Sequence, residues 1–311
     1  MRACALGITL ALIVTSTQLA GQQSLPDRIN EPIASATAVS EAPVIDGNLG
    51  ESSWQSAQIL TGFVQREPME GEPVSERTEV RILYDGEALY IGAWLFDREP
   101  SGIVVGRALR DASLNDTDAF LVVLDTYLDR QNAFVFGTTP AGIEYDGQVA
   151  NEQQAGGGGG GGRQQRGSGG GFNLNWDGSW EVATSIDRTG WYAEMRIPFS
   201  TLRYPQEGTQ DWGLNFSRNI RRNNEQSVWA PIPRQFNPYR VSLAGTLSQI
   251  QAPAQRILTV TAYTAADGYK NYTETVPDAD FSATFGGDAK IGLTQGLTLD
   301  LTANTDFAQV E

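Results

Sequence analysis

The chain has no histidine and a single cysteine, Cys4. Without histidine there is no Ser-His-Asp triad, no imidazole base and no His/Cys zinc site. Basic residues are scarce: 22 Lys and Arg stand against 37 Asp and Glu, a formal net charge of −15. That balance speaks against phosphate backbones and anionic membrane surfaces as partners, and it suits neutral ligands or cations. Long apolar runs are also missing. The longest, Ala3 to Val14, is too short to span a bilayer. With Arg2 before it and small residues up to Ala20, it reads as a secretory signal over residues 1–20. Cleavage there would remove Cys4, leaving an exported chain with no thiol nucleophile and no disulfide. Any chemistry is left to carboxylates, Lys, Tyr or a hard, oxygen-bound cation such as Ca2+.

What is present is turn-rich and alternating: 34 Gly and 14 Pro punctuate short apolar segments. Phe120 to Leu124 is an unbroken apolar run between acidic ends, which predicts a central strand covered on both faces. Glu79–Tyr84 and Leu89–Phe96 read as a hairpin across Asp85-Gly86, and 132–138 with 143–149 as a second. Gly102 to Ala108 is expected as an edge strand. Trp191, Ala193, Met195 and Ile197 are expected to face the core, with Tyr192, Glu194 and Arg196 outside. The segment from Asp46-Gly47 to Trp54 reads as a lid with Trp54 as a core plug. Arg218 to Arg222 reads as a solvated basic loop. The fold class that follows is all-β: an antiparallel β-sandwich, jelly-roll-like, over residues 42–250. Residues 21–41 read as a linker, and 155–171 as a disordered Gly-rich loop. Over 251–311, Leu258/Val260/Ala262 and Leu297/Leu299/Leu301 alternate with polar residues, as in the first strands of an outer-membrane β-barrel.

Five segments carry a resemblance: Val44-Ile-Asp-Gly47 with Trp54; Val80-Arg-Ile-Leu-Tyr-Asp85 followed by Leu89-Tyr-Ile91; Asp118-Ala-Phe-Leu-Val-Val-Leu-Asp125; Gly190-Trp-Tyr-Ala-Glu-Met-Arg-Ile-Pro-Phe199; and Trp212-Gly-Leu-Asn-Phe216. In order and spacing they resemble carbohydrate-binding module family nine. The whole chain resembles exported bacterial proteins in which such a module precedes an outer-membrane barrel. The resemblance implies a glycan-binding β-sandwich, often with structural calcium. It also implies departures. Sugar-binding members carry a tryptophan where this chain has Asn115, a glutamate at Leu121 and an arginine at Val135. Their second tryptophan falls in the region of Phe236-Asn-Pro-Tyr239.

Glycan binding needs flat aromatic faces and a few polar groups. Trp176, Trp229, Arg234, Phe236 and Tyr239 lie in or beside expected loops and are the candidates. Asp116, Asp118 and Asp125 are the candidate ligands for Ca2+. Glu144/Asp146 and Asp116/Asp118 have the chemistry of a glycosidase carboxylate pair. Three readings stay open: a non-catalytic glycan-binding module, a structural cap of a barrel with no sugar site, and a carboxylate-based glycoside hydrolase. The expected partners are a glycan or polysaccharide and the outer membrane, with no nucleic acid.

Overall fold

The computed structural model describes residues 31–152, 171–205, 208–254, 258–271, 278–294 and 297–303. The expected signal at 1–20 and nearly all of the Gly-rich stretch lie outside them. The strands are β1 (Ile33–Ser35), β2 (Thr37–Ala38), β3 (Val64–Glu67), β4 (Thr78–Tyr84), β5 (Ala88–Phe96), β6 (Ala119–Asp125), β7 (Ala133–Thr138), β8 (Tyr145–Val149) and β9 (Phe172–Asn173). They continue as β10 (Glu181–Ile186), β11 (Gly190–Pro198), β12 (Gln210–Ile220), β13 (Glu225–Val228), β14 (Gly245–Ile250), β15 (Leu258–Asn271), β16 (Asp278–Thr294) and β17 (Leu297–Ala303). One short helix, α1 (Ser52–Gln55), precedes β3.

Two sheets make the sandwich. The larger runs β1-β14-β12-β6-β7-β8-β9, with β13 added to β12 and β3 to β13. The smaller runs β10-β11-β5-β4-β2. β6 lies at the centre of the larger sheet, paired on one side with β12 and on the other with β7. Its Phe120, Val122 and Leu124 point between the sheets, among Ile82, Ile91, Met195, Trp191 and Phe216. Leu121 and Val123 point the other way, into a second apolar cluster with Val135, Tyr145 and Val241. That is why both parities of the strand are apolar. Each such side chain contributes roughly 1.5–3 kcal/mol by leaving water.

The smaller sheet is also covered on both sides. Leu89, Ile91, Ala93 and Leu95 of β5 face the inter-sheet core, while Ala88 and Tyr90 lie under the lid with Leu49, Trp54 and Ala57. Trp54 is fully buried, as the sequence suggests. Gly92 makes room for it. A Cβ there would stand 2.9 Å from Leu49 Cδ2 and 3.1 Å from Trp54 Cζ3.

Three sequence expectations are corrected. The second half of the expected linker is structural: β1 pairs in parallel with β14 and β2 in parallel with β4, so one short segment joins both sheets. Gly102–Ala108 is not a strand. A 3-10 turn covers Pro100–Gly102, Gly106 has φ +80°, and the Val104 carbonyl accepts from Thr117 Oγ1 and the Asp118 N–H instead of a ladder partner. Arg218 is not in a solvated loop. It sits in β12 on the core-facing parity with Phe216, fully buried, and its guanidinium bonds the Arg77 and Phe96 carbonyls and Thr78 Oγ1 of the opposite sheet at 2.7–3.0 Å.

β15, β16 and β17 form an antiparallel sheet of their own. Register sets Val260 beside Ala289, Ala289 beside Leu301, Ile291 beside Leu299, and Thr264 beside Phe285. Cross-strand partners share a face, so Val260, Phe285, Leu299 and Leu301 line one side, where all four are exposed.

Candidate functional site

The five candidate ligand residues do not converge. Trp229 is buried in the inter-sheet core against Phe216, with ring centroids 5.8 Å apart. Trp176 is half-buried at the rim of that core, over Phe134 at 5.2 Å and Phe136 at 5.9 Å. Trp229 is thus closed off in the core, whereas Trp176 lies in the loop between β9 and β10 with part of its surface exposed. Arg234, Phe236 and Tyr239 remain together on the loop between β13 and β14. Arg66 of β3 fixes this loop by donating to the Arg234 carbonyl at 2.9 Å and the Phe236 carbonyl at 2.6 Å. Glu70 accepts from the Arg234 N–H, and the Arg240 guanidinium lies 4.4 Å over the Phe236 ring. Arg234 is exposed; Phe236 and Tyr239 are half-buried.

Tyr239 turns onto the outer face of the larger sheet, where Leu121 and Val135 lie. Those two are buried there with Leu114, Tyr145 and Val241, while Asn115 is exposed. The outer face of β6 and β7 is thus closed by apolar packing. Two rings finish the cover. Phe172 of β9 lies flat on Tyr239, with centroids 4.6 Å apart and planes within 2°, and more loosely on Tyr145 at 6.2 Å and 15°. The Tyr145 and Tyr239 hydroxyls meet at 3.2 Å. Burial raises the Tyr239 hydroxyl well above its ordinary range. Sequence reasoning passed over Phe172 and Tyr145. The available signal was Gly147, an isolated glycine inside a strand. A Cβ there would stand 2.6 Å from Phe172 Cζ.

The acidic candidates are separated too. Asp118 stands just before β6 and Asp125 ends it, so the two are roughly 20 Å apart along an extended strand. Asp116 is exposed, whereas Asp118 and Asp125 are buried. Asp118 Oδ1 accepts from the Arg221 N–H at 2.8 Å, and its Oδ2 is buried without a partner. Asp125 accepts from the Asp129 and Arg130 N–H groups. Burial pushes both carboxyls up. Among the described residues no group of three or more His, Cys, Asp or Glu side chains is placed to hold a metal ion. Asp116, Asp118 and Asp125, the candidate ligands for calcium, are not brought together as one set.

Glu144 and Asp146 share a face, as their spacing requires, but one guanidinium takes both. Arg110 bonds Glu144, Asp146 and Asp177. Asp146 is buried and also accepts from the Gly178 N–H at 2.7 Å and Trp180 Nε1 at 3.3 Å. That arrangement ties Glu144 and Asp146 to one cation at the edge of the sandwich. Asp116 and Asp118 are split between solvent and interior.

Comparison with known proteins places this geometry. Among curated proteins none matches the chain. Among solved structures, a candidate carbohydrate-binding protein from Bacteroides uniformis is 14% identical, with TM-score 0.51, covering 70% of this chain and 99% of its own. A carbohydrate-binding module family 9 from Caldicellulosiruptor kristjanssonii in complex with cellotriose is 14% identical, with TM-score 0.43, over 72% of this chain and 95% of its own. The first supports the sandwich fold. The family model described as carbohydrate family 9 binding domain-like matches residues 45–230, more than half of the chain. By that match the chain belongs to the carbohydrate family 9 binding domain-like family.

Proposed function

We propose that the sandwich binds a carbohydrate without transforming it. The observation that carries this reading is the family match over residues 45–230. The lack of a free carboxylate pair at Glu144/Asp146 or Asp116/Asp118 favours binding over hydrolysis. Arg234, Phe236 and Tyr239 are the residues we assign to the site. They supply a guanidinium and two half-exposed rings on one loop, and that loop is held in shape by Arg66 and Arg240. Family 9 structures from Caldicellulosiruptor kristjanssonii hold cellotriose and glucose, so neutral glucans are the ligands to try first. Affinity electrophoresis of the full chain through gels containing neutral polysaccharides tests it. Retardation on at least one glucan is expected, and equal mobility with and without every polysaccharide refutes it.

The sheet of β15, β16 and β17 supports a second element of the reading. We propose that it belongs to an outer-membrane β-barrel that tethers the exported sandwich at the cell envelope, where bound polysaccharide is presented for breakdown. Support comes from strand alternation and from the exposed apolar face at Val260, Leu299 and Leu301. A lipid-facing band is the usual reason for such a face in a barrel.

A further inference from the structure

We propose that Phe172 is a built-in plug over an aromatic carbohydrate platform made by Tyr145 and Tyr239, and that binding requires its displacement. This rests on the carbohydrate-binding reading above and adds a site and a gate to it. The platform is visible in the geometry. Tyr145 comes from β8 and Tyr239 from the loop before β14, and their hydroxyls meet at 3.2 Å. Phe172 lies over both rings, parallel to Tyr239 within 2° and to Tyr145 within 15°. A six-membered ring laid flat on an aromatic face is the arrangement a pyranose adopts in such sites, because its axial C–H groups pack on the ring face. Phe172 occupies that position with a ring of similar size. Gly147 of β8 is the recess that admits it, since any Cβ there would overlap Phe172 Cζ and Cε2.

The plug sits on the shortest strand of the sheet. β9 is two residues long and pairs with β8 through Gln148↔Asn173 and Val149↔Phe172, with the Ala150 N–H donating to the Gly171 carbonyl at 2.7 Å beside them. It forms one edge of the larger sheet, and Phe172 itself is only half-buried. The floor, by contrast, is fixed. Tyr145 is fully buried in β8, and Val241, two residues after Tyr239, is fully buried as well. Ser242 next to it donates from N–H and Oγ to the buried Glu152. Lifting this strand uncovers the outer apolar cluster at Tyr145 and leaves the inter-sheet core in place.

A closed plug lowers apparent affinity by the fraction of time the site is open. If β9 is seated nine-tenths of the time, Phe172→Ala binds about tenfold more tightly than the natural chain. The experiment is titration calorimetry of the full chain with cellotriose and with longer neutral glucans. Four proteins are compared: the natural chain, Phe172→Ala, Tyr239→Ala and the double variant, each checked by its melting temperature. Gain in Phe172→Ala that disappears in the double variant is the expected result. The natural chain supplies an independent readout. Glucan binding should speed exchange of the Phe172 and Asn173 amide hydrogens while those of β6 stay protected. Unchanged affinity in Phe172→Ala, with the natural chain binding, overturns the plug and leaves carbohydrate binding intact. A gain that survives Tyr239→Ala, or slower exchange at Phe172 on binding, also overturns it. If none of the four binds any glucan, both proposals fall together.

Discussion

Glu194 stands on the outward parity of β11, yet it is fully buried beneath the lid. Its carboxylate accepts from the Asp46 and Gly47 N–H groups at 3.1 Å and from Trp54 Nε1 at 3.2 Å. Burial outweighs these donors and pushes its pKa up to about 7, with the nearby Glu51 adding to the rise. A carboxyl with a raised folded-state pKa holds a proton that the unfolded chain has already released, so stability falls as pH rises from 4.5 towards 7. Asp118, Asp125 and Asp146 push in the same direction. The melting temperature is therefore expected to be higher at pH 5.5 than at pH 8, and the gap to shrink in Glu194→Gln. An equal gap in that variant would remove Glu194 from the account. Arg218 is the opposite case, a cation buried between the sheets with its pKa lowered to about 10 by desolvation and held up by Asp118, Asp97 and Glu76. Arg218→Met leaves Asp118 as an uncompensated buried charge and is expected to cost about 3–5 kcal/mol in urea unfolding. A loss below about 1 kcal/mol would show that the acids relax to solvent.

At the scale of elements, the lid and the smaller sheet act as one unit. Trp54 fills the hollow over Gly92 and meets Trp94 edge-on at 6.1 Å. Trp54→Ala opens a large cavity and strands Glu194, and the expected loss is about 3–5 kcal/mol by chemical denaturation. Gly92→Leu should destabilise by overpacking, about 1–3 kcal/mol, because its side chain meets Leu49 and Trp54 at once. These strands were legible in the sequence wherever a period of two ran for six or more residues. β4 and β11 fall in that class, while β5 and β6 were legible as short apolar runs, which also announced their double-sided burial. β1 and β2 were not legible, since two or three residues in a polar stretch carry no period. The aromatic candidates divide for a similar reason. Sequence marks Trp176, Trp229 and Tyr239 as loop-proximal, but only tertiary packing decides that two of them support the core and the third joins a cover over the outer face. Buried charges such as Glu194 and Arg218 were missed because alternation locates a face without saying what lies over it.

For the whole molecule, the apolar face of β15 to β17 is the feature that separates a free glycan-binding protein from a tethered one. Val260→Lys places a charge on that face. If it meets lipid, the substitution should cost roughly 2–4 kcal/mol at mid-bilayer and shift the full chain away from floating liposomes in a density gradient. Flotation unaltered by the lysine, or absent in the natural chain, would argue that the face packs on protein. The parallel pairing of β1 carries a further consequence. Ile33 aligns with Thr246, a sequence separation of 246 − 33 = 213 residues. A nascent chain emerging from its N-terminus cannot seat this strand until β14 has been made. Until then residues 33–35 have no partner strand, whereas β2 can already pair with β4, and a protease added during synthesis should find 33–35 cleavable long after the β4–β5 hairpin has become resistant.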